Sequence, residues 1–285
     1  MCIVNKIIRK LNSFKQRKHH EPLFLEMISY ACLHAQSVVH IGCSNGTEVR
    51  QVILSAKPMD IYVLEADSEN LQRSKRAIRS LTTEHVKIDY RHLAVAGKSG
   101  PGIFYKNLQR PNLSSALVQH NMAQIQETHV NYITLADFAQ QVSLTQPLFI
   151  MDVEGAEVDI LQGSIAYLSQ LQQASLLFEV HPQLYSTAHS LVPVLEHLLK
   201  AGYQVSWIES AGLPQPQRFV EAGYEPFSIA HERGLYSGVS ADFILRYACQ
   251  QEPDQRRNGL GTTNKIIRSL LLQKLTAQKI HTLII

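Results

Sequence analysis

Short apolar segments rich in β-branched residues alternate with helical segments along most of the chain, and this alternation constrains the fold more than any other feature. Segments such as LFIMDV (148–153) and SLLFEV (175–180) are apolar on both faces, as expected for parallel strands covered by helices. Strands separated by single helices indicate βαβ units, and repeated units form a doubly wound α/β sheet. The predicted strands span residues 37–42, 60–65, 86–96, 147–153, 174–181, 203–209 and 241–247, and the predicted helices span 47–56, 68–81, 135–142, 156–171 and 187–201.

Two segments interrupt this alternation. Residues 97–134 are predicted to form a hairpin followed by a loop, and residues 210–240 to form a long connection before the last strand. Long loops inside a compact domain often carry binding surfaces. We therefore expect these two segments to select the substrate.

The charge of the chain is unevenly distributed. Residues 1–20 carry six Lys or Arg and no acid, and residues 255–285 again carry six and no acid, although the whole chain has a net charge of only +3. The stretch between these two ends is therefore acidic. An acidic body does not suit a groove for nucleic acid, so nucleic acid is not an expected partner.

The basic ends are predicted to be amphipathic helices outside one large domain. The expected division is an N-terminal extension over residues 1–21, a central domain over 22–249 and a C-terminal extension over 250–285. Basic amphipathic helices can lie peripherally on anionic membranes, or they can pack on the acidic body or in a homodimer, and both alternatives stay open. The predicted apolar stripes contain Ile3, Ile7, Leu11 and Phe14 at one end and Ile266, Leu270, Ala277, Ile280 and Ile284 at the other.

The four cysteines are scattered, without a C-x-x-C pair, which favours reduced thiols over disulfides or a zinc site. The longest apolar runs are far shorter than the roughly 18 to 20 residues that cross a bilayer. The first 20 residues lack the apolar core and cleavage site of a secretory signal. We expect a cytoplasmic protein, with peripheral membrane contact through the basic ends as the open alternative.

A glycine turn follows the first predicted strand. Glycines allow the backbone to turn tightly there and bring amide groups close to a ligand ahead of the next helix. The spacing is Gly-x-x-x-Gly, unlike the Gly-x-Gly-x-x-Gly of dinucleotide sites. About twenty residues on, the second strand ends at Glu65, whose carboxylate can accept ribose hydroxyls. This pattern indicates a nucleoside-containing ligand, although glycines and glutamates also end strands for local reasons.

Acidic side chains accumulate where two later strands end. Asp152 and Glu154 follow one strand, and Glu179 and His181 follow the next, so they arrive at the same edge of the sheet. Neighbouring carboxylates repel one another unless they meet cations, donors or solvent. Glu157 is interpreted as a charge that complements a helix N-terminus. His181 can act as a general base near neutral pH, or it can simply cap the end of the strand.

The order of short motifs along residues 37–247 resembles the FkbM-type family of S-adenosylmethionine-dependent methyltransferases. The motifs are the glycine turn, LEAD (64–67), LAVAG (93–97), NLSSAL (112–117), ITLADF (133–138), DVEGAEVDILQGS (152–164) and FEVHP (178–182). The resemblance implies a Rossmann-like sheet of seven strands whose last strand is antiparallel. It also implies methyl transfer from S-adenosylmethionine to a hydroxyl of a small-molecule or glycan acceptor, such as a saccharide or secondary metabolite.

The resemblance also implies where the cofactor binds. The glycine turn would surround its methionine portion, Glu65 its ribose, Leu93 and Ala94 its adenine, and Asp152 would lie near the sulfonium. The residues predicted to contact the cofactor are His40, Gly42, Cys43, Ser44, Asn45, Gly46, Glu65, Ala66, Asp67, Leu93, Ala94 and Asp152.

For the reaction, we expect His181 or Asp152 to take the hydroxyl proton while Glu154 and Glu179 position the acceptor. A divalent metal on the carboxylates is an alternative that we do not favour. The sequence departs from the family at His40, where an aspartate is usual, and at Met151, where a lysine is usual. A methyltransferase-like scaffold with impaired catalysis is therefore the second hypothesis. The Gly-x-x-x-Gly spacing argues against a third, a nicotinamide-dependent oxidoreductase.

Overall fold

The computed structural model describes residues 21–57, 59–81, 84–109, 114, 124–212, 216–253 and 263–275. The helices are α1 (Pro22–Cys32), α2 (Thr47–Ser55), α3 (Ser68–Ile78), α4 (Leu135–Gln141), α5 (Glu157–Gly163), α6 (Ile165–Gln170), α7 (Leu191–Lys200), α8 (Pro216–Glu221) and α9 (Ala241–Tyr247). The strands are β1 (Ser37–Ile41), β2 (Met59–Glu65), β3 (Val86–His92), β4 (Ala94–Val95), β5 (Gly100–Asn107), β6 (Ile125–Ile133), β7 (Pro147–Met151), β8 (Ala174–Glu179), β9 (Gln204–Ser210), β10 (Ser228–Ala230), β11 (Arg233–Ser237), β12 (Gln251–Pro253), β13 (Thr263–Lys265) and β14 (Ile267–Lys274).

The central sheet has the strand order β10-β11-β9-β14-β8-β7-β1-β2-β3. The five strands from β8 to β3 pair in parallel, and β14 runs antiparallel between β8 and β9. The doubly wound α/β class and the antiparallel last strand are thus confirmed. The sheet has nine strands instead of seven because β10 and β11 form a hairpin that extends it beyond β9. Segment 210–240, predicted as a connection, therefore contains two strands and helix α8.

The apolar strand segments are buried on both sides of this sheet. In β7, Phe149 and Met151 belong to the core on one face, while Leu148 and Ile150 belong to the core on the other. This division follows from the two-residue alternation of side chains along a strand. The run LFIM is apolar throughout because helices cover both faces.

The prediction of a last strand at 241–247 is wrong, because these residues form helix α9. Ser240 caps that helix, and its hydroxyl accepts a hydrogen bond from the Phe243 amide. The helix predicted in the C-terminal basic segment is also wrong over Ile267–Lys274, which is the antiparallel strand β14. Its side chains at Leu270, Leu271 and Leu272 are all fully buried, so both faces of the strand meet the core.

The central sheet therefore includes residues beyond the predicted domain boundary at 249/250. Residues 1–20, 254–262 and 276–285 of the predicted extensions lie outside the described residues. The division of the chain and the membrane or dimer contacts of its ends stay predictions. Among the helices that the structure describes, none is long and apolar enough to cross a membrane.

Segment 97–134 contains the predicted hairpin. Strands β5 and β6 pair in antiparallel fashion, and β4 joins β6 in a second, three-stranded sheet with the order β4-β6-β5. The predicted strand 86–96 is consequently divided into β3, in the central sheet, and β4, in the smaller one. The predicted helix 156–171 is divided at Ser164 into α5 and α6.

The sequence does not predict helix α1, which packs on one face of the central sheet. Its residues PLFLEMISYAC are mostly apolar, and a short apolar run cannot be assigned to helix or strand by periodicity alone. Pro22 stands in the first turn, where its missing amide hydrogen costs no hydrogen bond. Leu23, Met27 and Ile28 are buried against the sheet.

Candidate active site

A cleft that is partly open to solvent lies at the carboxyl edge of the parallel strands. Ligands bind at this edge in open α/β sheets. The loops after β1, β2 and β7 meet strand β4 and the β5–β6 hairpin around the cleft. Of the predicted site residues, Gly42, Ser44, Glu65, Ala66, Leu93, Ala94, Asp152 and Glu154 line it.

The glycine turn after β1 favours glycine at each of its two ends. Gly42 has φ +77°, and a Cβ atom on it would lie 2.5 Å from the carbonyl oxygen of Asp152. Gly46 has φ +83° at the start of α2, and a Cβ atom there would lie 2.8 Å from the Cα atom of Ser74. Both positions favour glycine through backbone conformation and through close approach. The turn after β1 is thus pressed directly against the loop after β7.

Glu65 at the end of β2 holds the glycine turn in place. Its Oε2 atom accepts hydrogen bonds from the amides of Cys43 (2.8 Å) and Ser44 (3.2 Å), and its Oε1 atom accepts one from the amide of Asp67 (2.9 Å). Burial raises the pKa of Glu65, and these amide donors oppose the rise. A carboxylate offers about four acceptor positions, so little capacity remains for a ribose beyond one hydroxyl.

Other residues predicted to bind the cofactor lie outside the lining of the cleft, within or next to the loops that form it. Within the described part of the chain, His40, Cys43, Asn45, Gly46 and Asp67 do not line the cleft. His40 is fully buried in β1, and its Nε2 atom lies 3.1 Å from Oε2 of Glu48 without hydrogen-bonding alignment. Burial raises the pKa of the Cys43 thiol, which makes this group unreactive.

Asp67 and Asn45 have local roles at helix starts. The carboxylate of Asp67 accepts a hydrogen bond from the Glu69 amide (2.8 Å) and caps α3. The side-chain oxygen of Asn45 accepts one from the Thr47 amide (2.9 Å), ahead of α2. These contacts satisfy amide groups that helix ends otherwise leave without partners.

Asp152 and Glu154 form an acidic wall where the loop leaves β7. Glu154 has φ +49°, a conformation that non-glycine residues rarely adopt. Within the described residues, the buried Oδ1 atom of Asp152 has no hydrogen-bond partner. Burial, followed by the nearby charges of Glu179 and Glu48, raises the pKa of Asp152 well above its ordinary value of 3.8. Oδ1 of Asp152 therefore has a long ion-pair contact with Nε2 of His181, 4.0 Å away, but no hydrogen bond.

His181 lies behind this acidic wall and is buried, with 3% exposure. Its Nδ1 atom is 3.2 Å from Oε1 of Glu157, and its Nε2 atom is 3.6 Å from Oε2 of Glu154 and 4.0 Å from Oδ1 of Asp152. Burial lowers the pKa of His181, but the charge and hydrogen bond of Glu157 outweigh it and raise the pKa to about 9. The imidazole is thus a cation at neutral pH, so this geometry does not suit the predicted general base.

Glu157 has a larger role than the predicted helix charge. It begins α5, but its side chain is fully buried, and its Oε1 atom accepts hydrogen bonds from the Tyr185 hydroxyl and from the His181 amide (3.1 Å). Burial would raise the pKa of Glu157, yet the His181 cation and these donors leave it lowered. The sequence signal for this arrangement is the tyrosine four residues after the histidine.

Glu179 is held by cations from the C-terminal segment. Its Oε1 atom accepts a hydrogen bond from Nζ of Lys265, and its Oε2 atom accepts one from Nη2 of Arg268 (3.1 Å). Burial would raise the pKa of Glu179, but Lys265 and Arg268 lower it to about 2. Glu179 does not line the cleft in the described structure, so its contacts do not suit the predicted role of positioning an acceptor.

Asp152, Glu154 and His181 each present one potential metal-ligand atom, and these atoms lie within 4.8 Å of one another. A metal ion requires a histidine nitrogen with a free lone pair. The pKa of His181, raised to about 9, keeps both ring nitrogens protonated at neutral pH. Nε2 of His181 would therefore have to release its proton before it could bind a metal, and in the described structure it faces the two carboxylates as a cation.

Nine residues that the sequence did not single out as site residues also line the cleft, and four of them are polar or aromatic. Asn70 comes from α3, Phe104 and Tyr132 come from the β5–β6 hairpin, and Ser114 comes from the connection beyond β5. Ser114 accepts a hydrogen bond from the amide of Asn107 (3.0 Å). The hairpin therefore forms one wall of the cleft.

The strand order, the glycine turn and the acidic corner together define a Rossmann-like methyltransferase fold. The sequence matches the description "Methyltransferase FkbM domain" over residues 33–205, which is more than half of the chain. The protein belongs to this FkbM methyltransferase family, as the sequence motifs predict. No curated protein matches the sequence.

Several solved structures are similar to this chain at low sequence identity. A methyltransferase FkbM from Methylobacillus flagellatus is 14% identical with a TM-score of 0.41, over 72% of this chain and 44% of that one. A putative O-methyltransferase from Klebsiella pneumoniae is 8% identical with a TM-score of 0.39, over 74% and 84% of the two chains. An rRNA methylase from Streptococcus thermophilus is 10% identical with a TM-score of 0.39, over 92% and 99%. This chain thus spans less than half of the Methylobacillus protein.

Proposed function

We propose that this protein transfers a methyl group from S-adenosylmethionine to a hydroxyl group of a small-molecule or glycan acceptor. One observation carries the proposal. The single cleft described at the carboxyl edge of the sheet collects the glycine turn, the strand-end Glu65, the pair Leu93 and Ala94, and Asp152. These are the positions that the family resemblance assigns to the cofactor.

The residues of the cleft fit the chemistry of this cofactor. Its sulfonium is positive, and the acidic side chain of Asp152 lines the cleft. Its nucleoside has a flat aromatic base, and Leu93, Ala94 and Val95 supply an apolar stretch of wall that suits the faces of such a ring. S-adenosylmethionine supplies an electrophilic methyl group when it is bound.

The acceptor hydroxyl must be oriented and must lose its proton. Asp152 is the base that we assign, because its side chain lines the cleft and burial raises its pKa, which makes the carboxylate a stronger base. Glu154, also on the cleft wall, positions the acceptor. A positioned base contributes about 10² to 10⁴ in rate, and orientation contributes up to about 7–11 kcal/mol of the barrier.

His181 holds the acidic wall together in this account. Its cation lies behind Asp152 and Glu154 and reduces their mutual repulsion. Because its other ring nitrogen is fixed by Glu157, the imidazolium cannot turn away from the wall. Of the two residues predicted to take the hydroxyl proton, His181 and Asp152, we therefore assign this role to Asp152.

The alternative hypothesis, a scaffold without catalysis, concerns His40 and Met151. Both side chains are fully buried in the sheet, and neither lines the cleft in the described residues. The presence of His40 instead of an aspartate and of Met151 instead of a lysine therefore removes no polar side chain from the described walls of the cleft. This observation favours the enzyme over the scaffold.

Calorimetric titration with S-adenosylmethionine and with S-adenosylhomocysteine tests the proposal. The first ligand carries a sulfonium charge and the second does not. We expect micromolar binding of both to the wild type, and Asp152→Asn should weaken the charged ligand more than the neutral one. Asp242→Asn, at an exposed position that does not line the described cleft, is the matched control. Absence of binding by either ligand would support the scaffold, and binding of NAD instead would support the oxidoreductase.

A further inference from the structure

The β5–β6 hairpin turns one particular face toward the cleft. Tyr132 on β6 is the register partner of Ala94 on β4 and of Gly100 on β5. Residues in register share a face of a sheet, and residues two apart on one strand share it as well. Gly102 and Phe104 therefore lie on the same face as Tyr132.

Gly102 leaves room for the ring of Tyr132. A Cβ atom on Gly102 would lie 2.3 Å from Cε2 of that ring. The Tyr132 hydroxyl donates a hydrogen bond to the carbonyl oxygen of Ile103 (2.7 Å). The ring is thus fixed flat against the hairpin backbone instead of projecting freely into the cleft.

Phe104 continues the same face and is 8% exposed. Two residues further, Lys106 anchors the hairpin to the turn after β2. Its Nζ atom lies 3.2 Å from Oδ2 of Asp67 and 2.9 Å from Oε2 of Glu69. The hairpin face therefore extends from Ala94, beside Tyr132, to the turn that follows Glu65.

We propose that Gly102, Phe104 and Tyr132 form an aromatic wall that binds the purine base of the cofactor, not the acceptor. This inference rests on the proposed function. Tyr132 is the direct neighbour of Ala94, and the groups suited to a hydroxylated acceptor, Asp152 and Glu154, come from the separate loop after β7. A flat aromatic ring recognises a base by stacking, which requires no hydrogen-bonding pattern. Segment 97–134 would then serve the cofactor, whereas the sequence predicts that it selects the acceptor.

The test measures the affinity of the protein for S-adenosylhomocysteine and for 5′-methylthioadenosine, which has the nucleoside without the amino acid. We expect Tyr132→Leu to weaken both ligands by the same factor, roughly 10-fold. Tyr132→Phe keeps the ring and should bind within about twofold of the wild type. Gly102→Ala, which leaves the tyrosine in the sequence but displaces its ring, should weaken both ligands as well.

Tyr105→Leu is the matched control, because Tyr105 alternates to the other face of β5 and does not line the described cleft. Thermal denaturation checks that each variant is folded. Unchanged affinity of folded Tyr132→Leu and Gly102→Ala for both ligands would overturn the wall. If the wild type binds neither ligand, the proposed function fails first, and the wall fails with it.

Discussion

Glu157 and His181 form a buried pair in which one carboxylate oxygen lies 3.2 Å from Nδ1 of the imidazole and 3.1 Å from the amide nitrogen of the same histidine. Both side chains are almost fully inaccessible to solvent. The pair favours the imidazolium form, in which both ring nitrogens of His181 are protonated. It also directs Nε2 toward Asp152, Glu154 and Glu179. The acidic corner of the cleft is therefore built around an internal cation.

The pair predicts how stability depends on pH. The pKa of His181 is raised from 6.5 to about 9 in the folded protein. Because the folded protein holds this proton more tightly than the unfolded chain, His181 contributes stability that is fully present below pH 6.5. This contribution is lost as the pH rises through about 9. Urea unfolding between pH 6 and 9.5 should show a falling free energy of unfolding, and His181→Gln should flatten the slope. An equally steep slope in this variant would contradict the assignment.

Removing the anion of the pair should be costly. Glu157→Gln removes the carboxylate that pairs with Nδ1 of His181, and breaking a buried ion pair costs about 3–5 kcal/mol. Chemical denaturation at pH 7 measures the loss. The matched control is Glu221→Gln, an exposed partner of Arg218, where the expected change is about 0–1 kcal/mol. Similar small effects of both substitutions would show that the buried pair does not organise the corner.

Asp152 should set the acid limb of the rate profile. Its pKa is raised well above 3.8 by burial and by the charges of Glu179 and Glu48, so the base form should be lost at a pH above the usual aspartate range. Methyl transfer by the wild type should accordingly fall on acidification while the protein stays folded. Asp152→Asn should lower kcat by about 10²- to 10⁴-fold. Near-normal turnover by this variant, measured with a labelled methyl group, would remove Asp152 from the chemistry.

Strand β14 makes the C-terminal segment part of the core. Leu271 is fully buried between β8 and β9, so Leu271→Ala should cost about 2–5 kcal/mol of unfolding free energy. Leu54→Ala, whose side chain is 55% exposed on α2, is the matched control and should change stability by about 0.5 kcal/mol or less. Equal effects of the two substitutions would indicate that this segment is not in the sheet.

The parallel half of the fold was predictable because its signals are local. Runs such as LFIM are apolar on both faces, and the glycine turn and strand-end acids are contiguous in sequence, so their meeting at one sheet edge follows from the topology. Strand β14 was not predictable in the same way. Ile266 and Leu270 fit a helical stripe as well as a strand, and only the space between β8 and β9 decides between them.

The roles of charged residues depended on partners that are distant in sequence. The sequence predicts that Glu179 positions the acceptor, but Lys265 and Arg268, more than 80 residues away, bind its carboxylate. His181 resembles a general base in sequence, but in the fold Nδ1 of its ring contacts the carboxylate of Glu157. Sequence motifs located the cleft, whereas long-range ion pairs determined which groups remain free to act in it.

The central claim is that the cleft beside Gly42 and Asp152 binds an adenosyl cofactor. The most direct measurement is a crystal structure of the full chain with S-adenosylhomocysteine at saturating concentration. We predict density for the homocysteine portion at the glycine turn and for the nucleoside between Ala94 and Tyr132. Density elsewhere on the protein, or an empty cleft in crystals grown at saturation, would contradict the account.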